Sequence, residues 1–396
     1  MYKEKFPIFN NTDMIFLDSA ASTQKPQVVL DSLLGFYQTE YANVHRGSCQ
    51  LSNIATTKYE AARQKIAKFL NAPHKQIIFT KGATESINLV AHGYASLLKE
   101  GDEILVSIAE HHANFVSWQQ IAKKCGAKFV TFDIKKNGEL DLIDFKEKLN
   151  SNTKVVAVSY LSNVLGVENP VQEIIDQAHK VGAHVLVDGA QAVAHKKLDL
   201  AKLDADFFVF SGHKMYGPTG IGVLYGKKEV LEMIPPYQYG GDMVRQVSID
   251  KTTFKEIPYK FEAGTPPFAE AIALASAVDF LTDISMEQVE NYEKELTKYL
   301  QLELEKIENV EILSPNEKKE GIVAFTVKNI HSTDIAFMLA EQSICVRVGH
   351  HCAMPLHERL GKEISLRVSL AIYNDKNDID KFILALKKCI DLFKRG

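Results

Sequence analysis

The chain has 396 residues, 46% of them apolar, and a formal charge of −4. A chain this long forms about two or three domains with a sizeable core. Its charges are interspersed, which leaves no basic footprint for nucleic acid or an anionic membrane, and lysine pairs such as Lys196-Lys197 are expected on solvated faces. There is no run of about 18 apolar residues to cross a membrane, and the start has no signal-peptide core. Five cysteines without a C-x-x-C spacing do not make a disulfide framework and fit a reducing, cytoplasmic compartment.

From about residue 76 to 225, short β-branched runs alternate with helix-length stretches. QIIFT (76–80), EILVS (103–107), KFVTF (128–132), KVVAVS (154–159), HVLVD (184–188) and DFFVFS (206–211) read as strands. Several are apolar almost throughout, as in parallel strands covered on both faces. Helices are predicted over Glu85–Leu98, Phe115–Cys125 and Val171–Val181. The alternation predicts an α/β fold with a mostly parallel sheet, whose ligands collect at the carboxyl ends of the strands. After about residue 262 the pattern changes to long helices (Ala269–Leu281, Ser285–Ile307), short strands (322–327, 364–369) and a closing helix from about Asp378. This predicts a smaller α+β domain, against which the first 14 or so residues are expected to pack.

Chemistry-bearing residues follow the strand ends. QIIFT leads into Lys81-Gly82-Ala83-Thr84, where a helix start with small residues offers open N–H groups to a phosphate, aided by the Thr84 hydroxyl. EILVS leads to Glu110-His111-His112, where an imidazole could stack on an aromatic cofactor and shuttle protons near neutrality. HVLVD ends at Asp188, a carboxylate able to keep a pyridine nitrogen protonated, with Gln191 in reach of a ring substituent. DFFVFS ends in Ser211-Gly212-His213-Lys214, and a desolvated lysine there could form a Schiff base. Further on, Arg347-Val-Gly-His350-His351-Cys352 holds a thiol whose thiolate fraction neighbouring imidazolium or arginine would raise. Arg367 suits a bidentate grip on an amino-acid carboxylate.

Plain readings stand beside these: a turn lysine, a helix-capping aspartate, an ordinary helix start. Zinc binding by His111, His112, His350, His351 and Cys352 is an alternative, but their spacing fits no recognised ligand pattern and no metal is expected. Cys345 fits a core position, and Cys49, Cys125 and Cys389 read as structural thiols.

Together, Asp188-Gly-Ala-Gln191, Ser211-Gly-His-Lys214, Glu110-His111-His112 and Arg347-Val-Gly-His-His-Cys352-Ala-Met-Pro resemble the SufS-type cysteine desulfurases. These belong to the class V aminotransferase group of fold-type I enzymes that use pyridoxal 5′-phosphate (PLP). The likeness runs from Leu17-Asp-Ser-Ala-Ala-Ser22 through Asn43-Val-His-Arg-Gly47, Ser162-Asn-Val-Leu-Gly166 and Phe261-Glu-Ala-Gly-Thr265-Pro to Arg367. It implies a large PLP-binding domain over 15–262, with residues 1–14 and 263–396 forming the smaller domain that carries the cysteine loop.

The resemblance also implies roles. Lys214 holds PLP and moves protons at the substrate Cα. Asp188 pairs with the pyridine nitrogen, Gln191 reaches the ring hydroxyl and His111 stacks on the ring as an acid/base. Ala83, Thr84, Ser211 and His213 take the phosphate, completed by Thr265 of a second subunit in a homodimer. Asn163, Arg367 and His45 orient L-cysteine, and Cys352 receives its sulfur as a persulfide. The short Cys352 segment implies delivery to an acceptor of the SufE or SufU type, with iron–sulfur clusters as the destination. Pro267 and Phe268 depart from the family's polar or small residues after Thr265-Pro266. Rival readings are a selenocysteine lyase, a PLP aminotransferase or β-lyase, and a PLP- or zinc-binding scaffold without turnover.

Overall fold

The computed structural model describes residues 2–45, 47–315 and 319–395; Arg46, within the Asn43–Gly47 motif, lies outside them. Seven strands form the large sheet: β1 (Ile77–Thr80), β2 (Glu103–Ser107), β3 (Lys128–Phe132), β4 (Thr153–Ser159), β5 (His184–Asp188), β6 (Phe207–Ser211) and β7 (Gly222–Gly226). Their order is β1-β7-β6-β5-β4-β2-β3, parallel except for β7, which is antiparallel to both neighbours. The fold is thus α/β around a mostly parallel sheet. The apolar runs have a simple cause. In β5, Val185 and Val187 enter one buried cluster and Leu186 the other; in β6, Phe208 and Phe210 divide in the same way from Phe207 and Val209. Alternate residues point to opposite faces, and both faces are covered.

Helices α1 (Gln27–Thr39) and α2 (Gln50–Phe69) precede the sheet, while α3 (Ala83–Tyr94), α4 (His112–Cys125) and α5 (Val171–Lys180) connect its strands. Two boundaries differ from the sequence reading for physical reasons. α4 opens at His112, not Phe115, because the His111 side chain accepts the Ala113 N–H and caps it. α3 closes at Tyr94, where the Ala95 N–H is shared between the carbonyls of Ala91 and His92. Helices α1 and α2 and the hairpin of Val244–Val247 with Thr252–Phe254 were not anticipated.

Beyond α6 (Phe268–Ile284) and α7 (Met286–Glu305), an antiparallel sheet is built from β8 (Val310–Ile312), β9 (Ile322–Val327), β10 (Arg347–Gly349) and β11 (Ser365–Ser369), in the order β8-β9-β11-β10. A short α8 (Met354–Arg359) joins β10 to β11, and α9 (Lys376–Arg395) follows. A third apolar cluster, including Leu296, Leu300, Phe325, Val368, Phe382 and Leu386, fills this part. Ile15 and Leu17 join it, and Ile15 pairs with Ile344. Phe6 packs on Phe280, Tyr216 and Tyr373. Phe268 turns inward against Phe36 of α1, with ring centroids 5.7 Å apart.

Lys196 is not solvated: it is buried, and its ammonium meets Glu168, Glu290 and Glu320 at 2.8, 2.7 and 3.3 Å. Cys49 is exposed ahead of α2, which removes its structural reading, whereas Cys389 is buried and Cys125 and Cys345 are half-buried. No helix among the described residues is long and apolar enough to cross a membrane.

One buried ion pair ties α2 to the sheet and to the loop before α6. Arg63 bonds both oxygens of Glu262, at 2.7 and 2.9 Å, and Glu262 also takes the Phe79 N–H and the Tyr59 hydroxyl. Arg63 is fully buried. Replacing it with alanine strands the Glu262 carboxylate away from water, and such removals cost about 3–5 kcal/mol. Urea unfolding of Arg63→Ala is expected to show a loss of that size.

Candidate active site

Five strands that run in one direction deliver their carboxyl ends to a cavity of about 270 Å³, closed on the other side by the β10–β11 segment. After β1, Ala83 and Thr84 line it at the start of α3, whose N-cap residue, Gly82, brings no side-chain cap. The Ala83 N–H donates to Ser211 Oγ at 2.8 Å, joining the ends of β1 and β6. This approach depends on Gly222 in β7: a Cβ there would come within 2.4 Å of the Gly82 Cα.

His111 lines the cavity after β2. Its Nδ1 accepts the Ala113 N–H at 3.1 Å, which assigns the proton to Nε2. Burial, reinforced by Lys214, pushes its pKa down to about 3. The imidazole is therefore neutral, and the anticipated titration near neutrality is replaced by a fixed N–H at Nε2. The neighbouring Glu110 is fully buried, with its pKa pushed up to about 8 by desolvation. It accepts from Asn114 Nδ2 at 2.7 Å and from the Ser159 N–H at 2.9 Å, fastening β2 to β4.

Asp188 and Gln191 come from the end of β5, and Ser211, His213 and Lys214 from the end of β6. Asp188 is buried, with its pKa raised by desolvation and Lys214 opposing the shift. Lys214 is half-buried at the cavity; desolvation lowers its pKa, and Asp188 works the other way. The Lys214 turn is gripped from the N-terminal segment: the His213 carbonyl accepts from Thr23 N at 3.0 Å, Thr23 Oγ1 at 3.1 Å and Lys25 Nζ at 2.9 Å. Burial, with Lys214 and Lys25 adding to it, lowers the His213 pKa to about 4. Gln191 donates from Nε2 to the Ala20 carbonyl at 2.8 Å.

Arg347, His351, Cys352 and Arg367 form the facing wall. Arg367 is buried; its Nη1 donates to the Asn163 carbonyl at 2.9 Å and its Nη2 to Asp18 at 3.0 Å, while its Nε has no partner. Asp18 also holds Arg347, at 3.0–3.1 Å. Its place in the Leu17–Ser22 motif carried no sign of this, since Arg367 lies 349 residues away in sequence. Cys352 is exposed at the cavity, and both it and His351 have left-handed backbones, at φ 58° and 50°. Each such residue costs about 1–2 kcal/mol unless its surroundings hold it. His351 is no imidazolium: burial, with Arg367 adding to it, pushes its pKa down to about 2. The cations on this wall are therefore the two arginines.

The cavity thus gathers Ala83, Thr84, His111, Asn163, Asp188, Gln191, Ser211, His213, Lys214, Cys352 and Arg367. Two anticipated residues lie elsewhere. His45 sits beside Tyr59, Tyr259 and Glu60, with Nε2 3.9 Å from that carboxylate, and Thr265 is exposed outside the cavity. Among the described residues, no group of three or more His, Cys, Asp or Glu side chains is placed to hold a metal ion.

These residues fit PLP. A helix start without an N-cap side chain, beside the Thr84 and Ser211 hydroxyls, suits its phosphate, a desolvated amine its carbonyl and a buried carboxylate its ring nitrogen. The unpartnered Arg367 Nε leaves a donor for an added carboxylate. Fold and site together define an α/β enzyme architecture with a lysine at the sheet's carboxyl edge.

The chain belongs to the aminotransferase class-V family, whose model matches residues 15–382. It is 47% identical over 402 residues to a protein of Synechocystis sp. named probable cysteine desulfurase, covering 99% of this chain and 95% of that one. Among solved structures, it resembles the cysteine desulfurase CsdA of Escherichia coli, with a TM-score of 0.93, 40% identity and coverage of 99% of this chain and 98% of that one. It also resembles the apo cysteine desulfurase of Thermococcus onnurineus NA1, with a TM-score of 0.95, 37% identity and coverage of 98% and 97%.

The Gly222–Gly82 contact is backbone against backbone and cannot relax by a side-chain rotation. Gly222→Ala is expected to lose about 1–3 kcal/mol in urea unfolding. Gly241→Ala, whose Cβ would meet nothing within 4 Å, is expected to match the parent.

Proposed function

We propose that this chain is a PLP-dependent cysteine desulfurase that converts L-cysteine to L-alanine and holds the sulfur as a persulfide on Cys352. The observation that carries the reading is the convergence of Lys214, Asp188, Arg367 and Cys352 on one cavity. The relatives named cysteine desulfurase support the desulfurase part of the reading.

PLP, when bound, supplies a carbonyl carbon for an amine and an electron sink for the charge left as a Cα proton departs. The chain's residues supply the rest. Lys214, made less basic by desolvation, holds the cofactor and exchanges the Cα proton at Nζ. With PLP bound, Asp188 would meet the ring nitrogen and Gln191 the ring hydroxyl, while His111 would offer a ring face and its Nε2. Ala83, Thr84, Ser211 and His213 would hold the phosphate. Arg367, aligned by Asp18 and Asn163, receives the substrate carboxylate. The Cys352 thiolate then attacks the substrate sulfur. An S–S bond forms as the Cβ–S bond breaks, the electron pair stays on carbon, and protonation leaves alanine.

The proposal extends to assembly and partners. In a homodimer, Thr265 would serve across the interface; the support is that Thr265 is exposed outside this chain's own cavity. The division proposed is a PLP-binding part (15–262) and a cysteine-bearing part (1–14 and 263–396); its support is a third apolar cluster drawn from Leu296 onward with Ile15 and Leu17, while α6 packs in the first cluster and so spans the two parts. Cys352, exposed in a short segment, suits sulfur hand-over to an acceptor of the SufE or SufU type for iron–sulfur cluster assembly in the cytoplasm.

The test is alanine release from L-cysteine by the PLP-loaded protein and by Cys352→Ala. The parent is expected to release alanine, and the variant to keep PLP while losing about tenfold or more of the activity. Equal rates would remove Cys352 from the reaction, and no alanine from either would overturn the proposal.

A further inference from the structure

The segment that presents Cys352 is strained. His351 and Cys352 are consecutive left-handed residues that follow Gly349 at φ 127°. What holds the thiol's own peptide comes from one residue of another element. The His112 backbone N–H, in the first turn of α4, donates to the Cys352 carbonyl at 2.6 Å. The His112 ring then accepts the Met354 N–H at Nε2, at 3.0 Å. His112 thus grips the chain on both sides of Ala353. A separate bond, from Asn163 Nδ2 to the His351 carbonyl at 2.7 Å, holds the preceding peptide.

We propose that His112 is a positioning residue for sulfur transfer, clipping the Cys352 segment to the start of α4 so that the thiol stays at the cavity beside His111. The inference rests on Cys352 being the sulfur carrier. His112 does not line the cavity, so it acts through the segment it holds and not on the substrate. For the clip to form, Nε2 must be unprotonated. Burial, with His350 adding to it, holds the His112 pKa below the usual imidazole range, so the acceptor stays available. The arrangement also explains why two adjacent histidines are useful. His111 turns its Nδ1 inward to cap α4, and His112 turns its Nε2 outward to catch the segment.

Two variants remove the same hydrogen bond from opposite ends. His112→Ala deletes the acceptor. Met354→Pro deletes the donor, at a first helical position that tolerates proline. His112→Gln offers an amide oxygen in place of Nε2. The measurements use the PLP-loaded protein: amide exchange at Ala353 and Met354, and the rate of persulfide formation on Cys352 in a single turnover. Both deletions are expected to speed exchange at the Ala353 amide, and His112→Ala also at the Met354 amide, which Met354→Pro lacks; both are expected to slow persulfide formation by about tenfold or more, while the spectral response to L-cysteine binding stays within about twofold. His112→Gln is expected to recover most of both.

Parent-like exchange or parent-like persulfide formation in either deletion would overturn the proposal. So would a His112→Gln variant as impaired as His112→Ala, or a deletion that loses L-cysteine binding in parallel. The exchange measurement needs no turnover. If the parent itself released no alanine, the functional reading would fail, and the clip would still be judged by the Met354 amide.

Discussion

A half-buried amine and a buried carboxylate that act on each other across one cavity constrain the whole site. Desolvation acts against the charge on both Lys214 and Asp188, and each offsets part of the other's penalty. That balance depends on how far the cavity shields both groups, so the large sheet must be covered on both faces and its strand ends must stay in register. The β5–β6 pairing of Leu186–Asp188 with Phe207–Val209 sets that register, and Glu110 ties β2 to β4 beside it. A less basic lysine is a better nucleophile toward a carbonyl, and a carboxylate without competing water is a better partner for a ring nitrogen.

The second constraint is that the two sides of the cavity come from chain segments far apart in sequence. The N-terminal segment connects them. Asp18 holds the two arginines of the far wall, Ala20 receives Gln191, and Thr23 and Lys25 hold the His213 carbonyl next to Lys214. The groups proposed to bind the substrate carboxylate and the cofactor are thus set against each other by about eight consecutive residues. Cys352 is held at its backbone by His112, yet its side chain stands open. It is exposed and strained, as suits a thiol that must meet a substrate on one side and an acceptor on the other.

How much of this the sequence revealed follows from the range of the interactions. Lys214, Asp188, Ser211 and His111 were legible because a buried parallel strand is an unbroken apolar run, and the residue after it stands at the ligand-bearing edge. The antiparallel direction of β7 was not legible, because it is set by the two strands that β7 pairs with and not by its own five residues. The role of Asp18 was invisible because its partners are brought to it only by the fold. The charge states of His111 and His351 could not be read either, since composition suggests imidazoles near neutrality while burial removes the proton from both. Lys196 shows the same limit: a lysine pair in sequence does not disclose three glutamates waiting in the fold.

The most direct measurement of the central claim is the location of the sulfur after one equivalent of L-cysteine, without acceptor or reductant. Peptide mass spectrometry of the PLP-loaded protein is predicted to find one added sulfur atom on the Cys352 peptide and none on those of Cys49, Cys125, Cys345 or Cys389. Alanine formed in step with sulfur on another cysteine, or on none, would contradict the account.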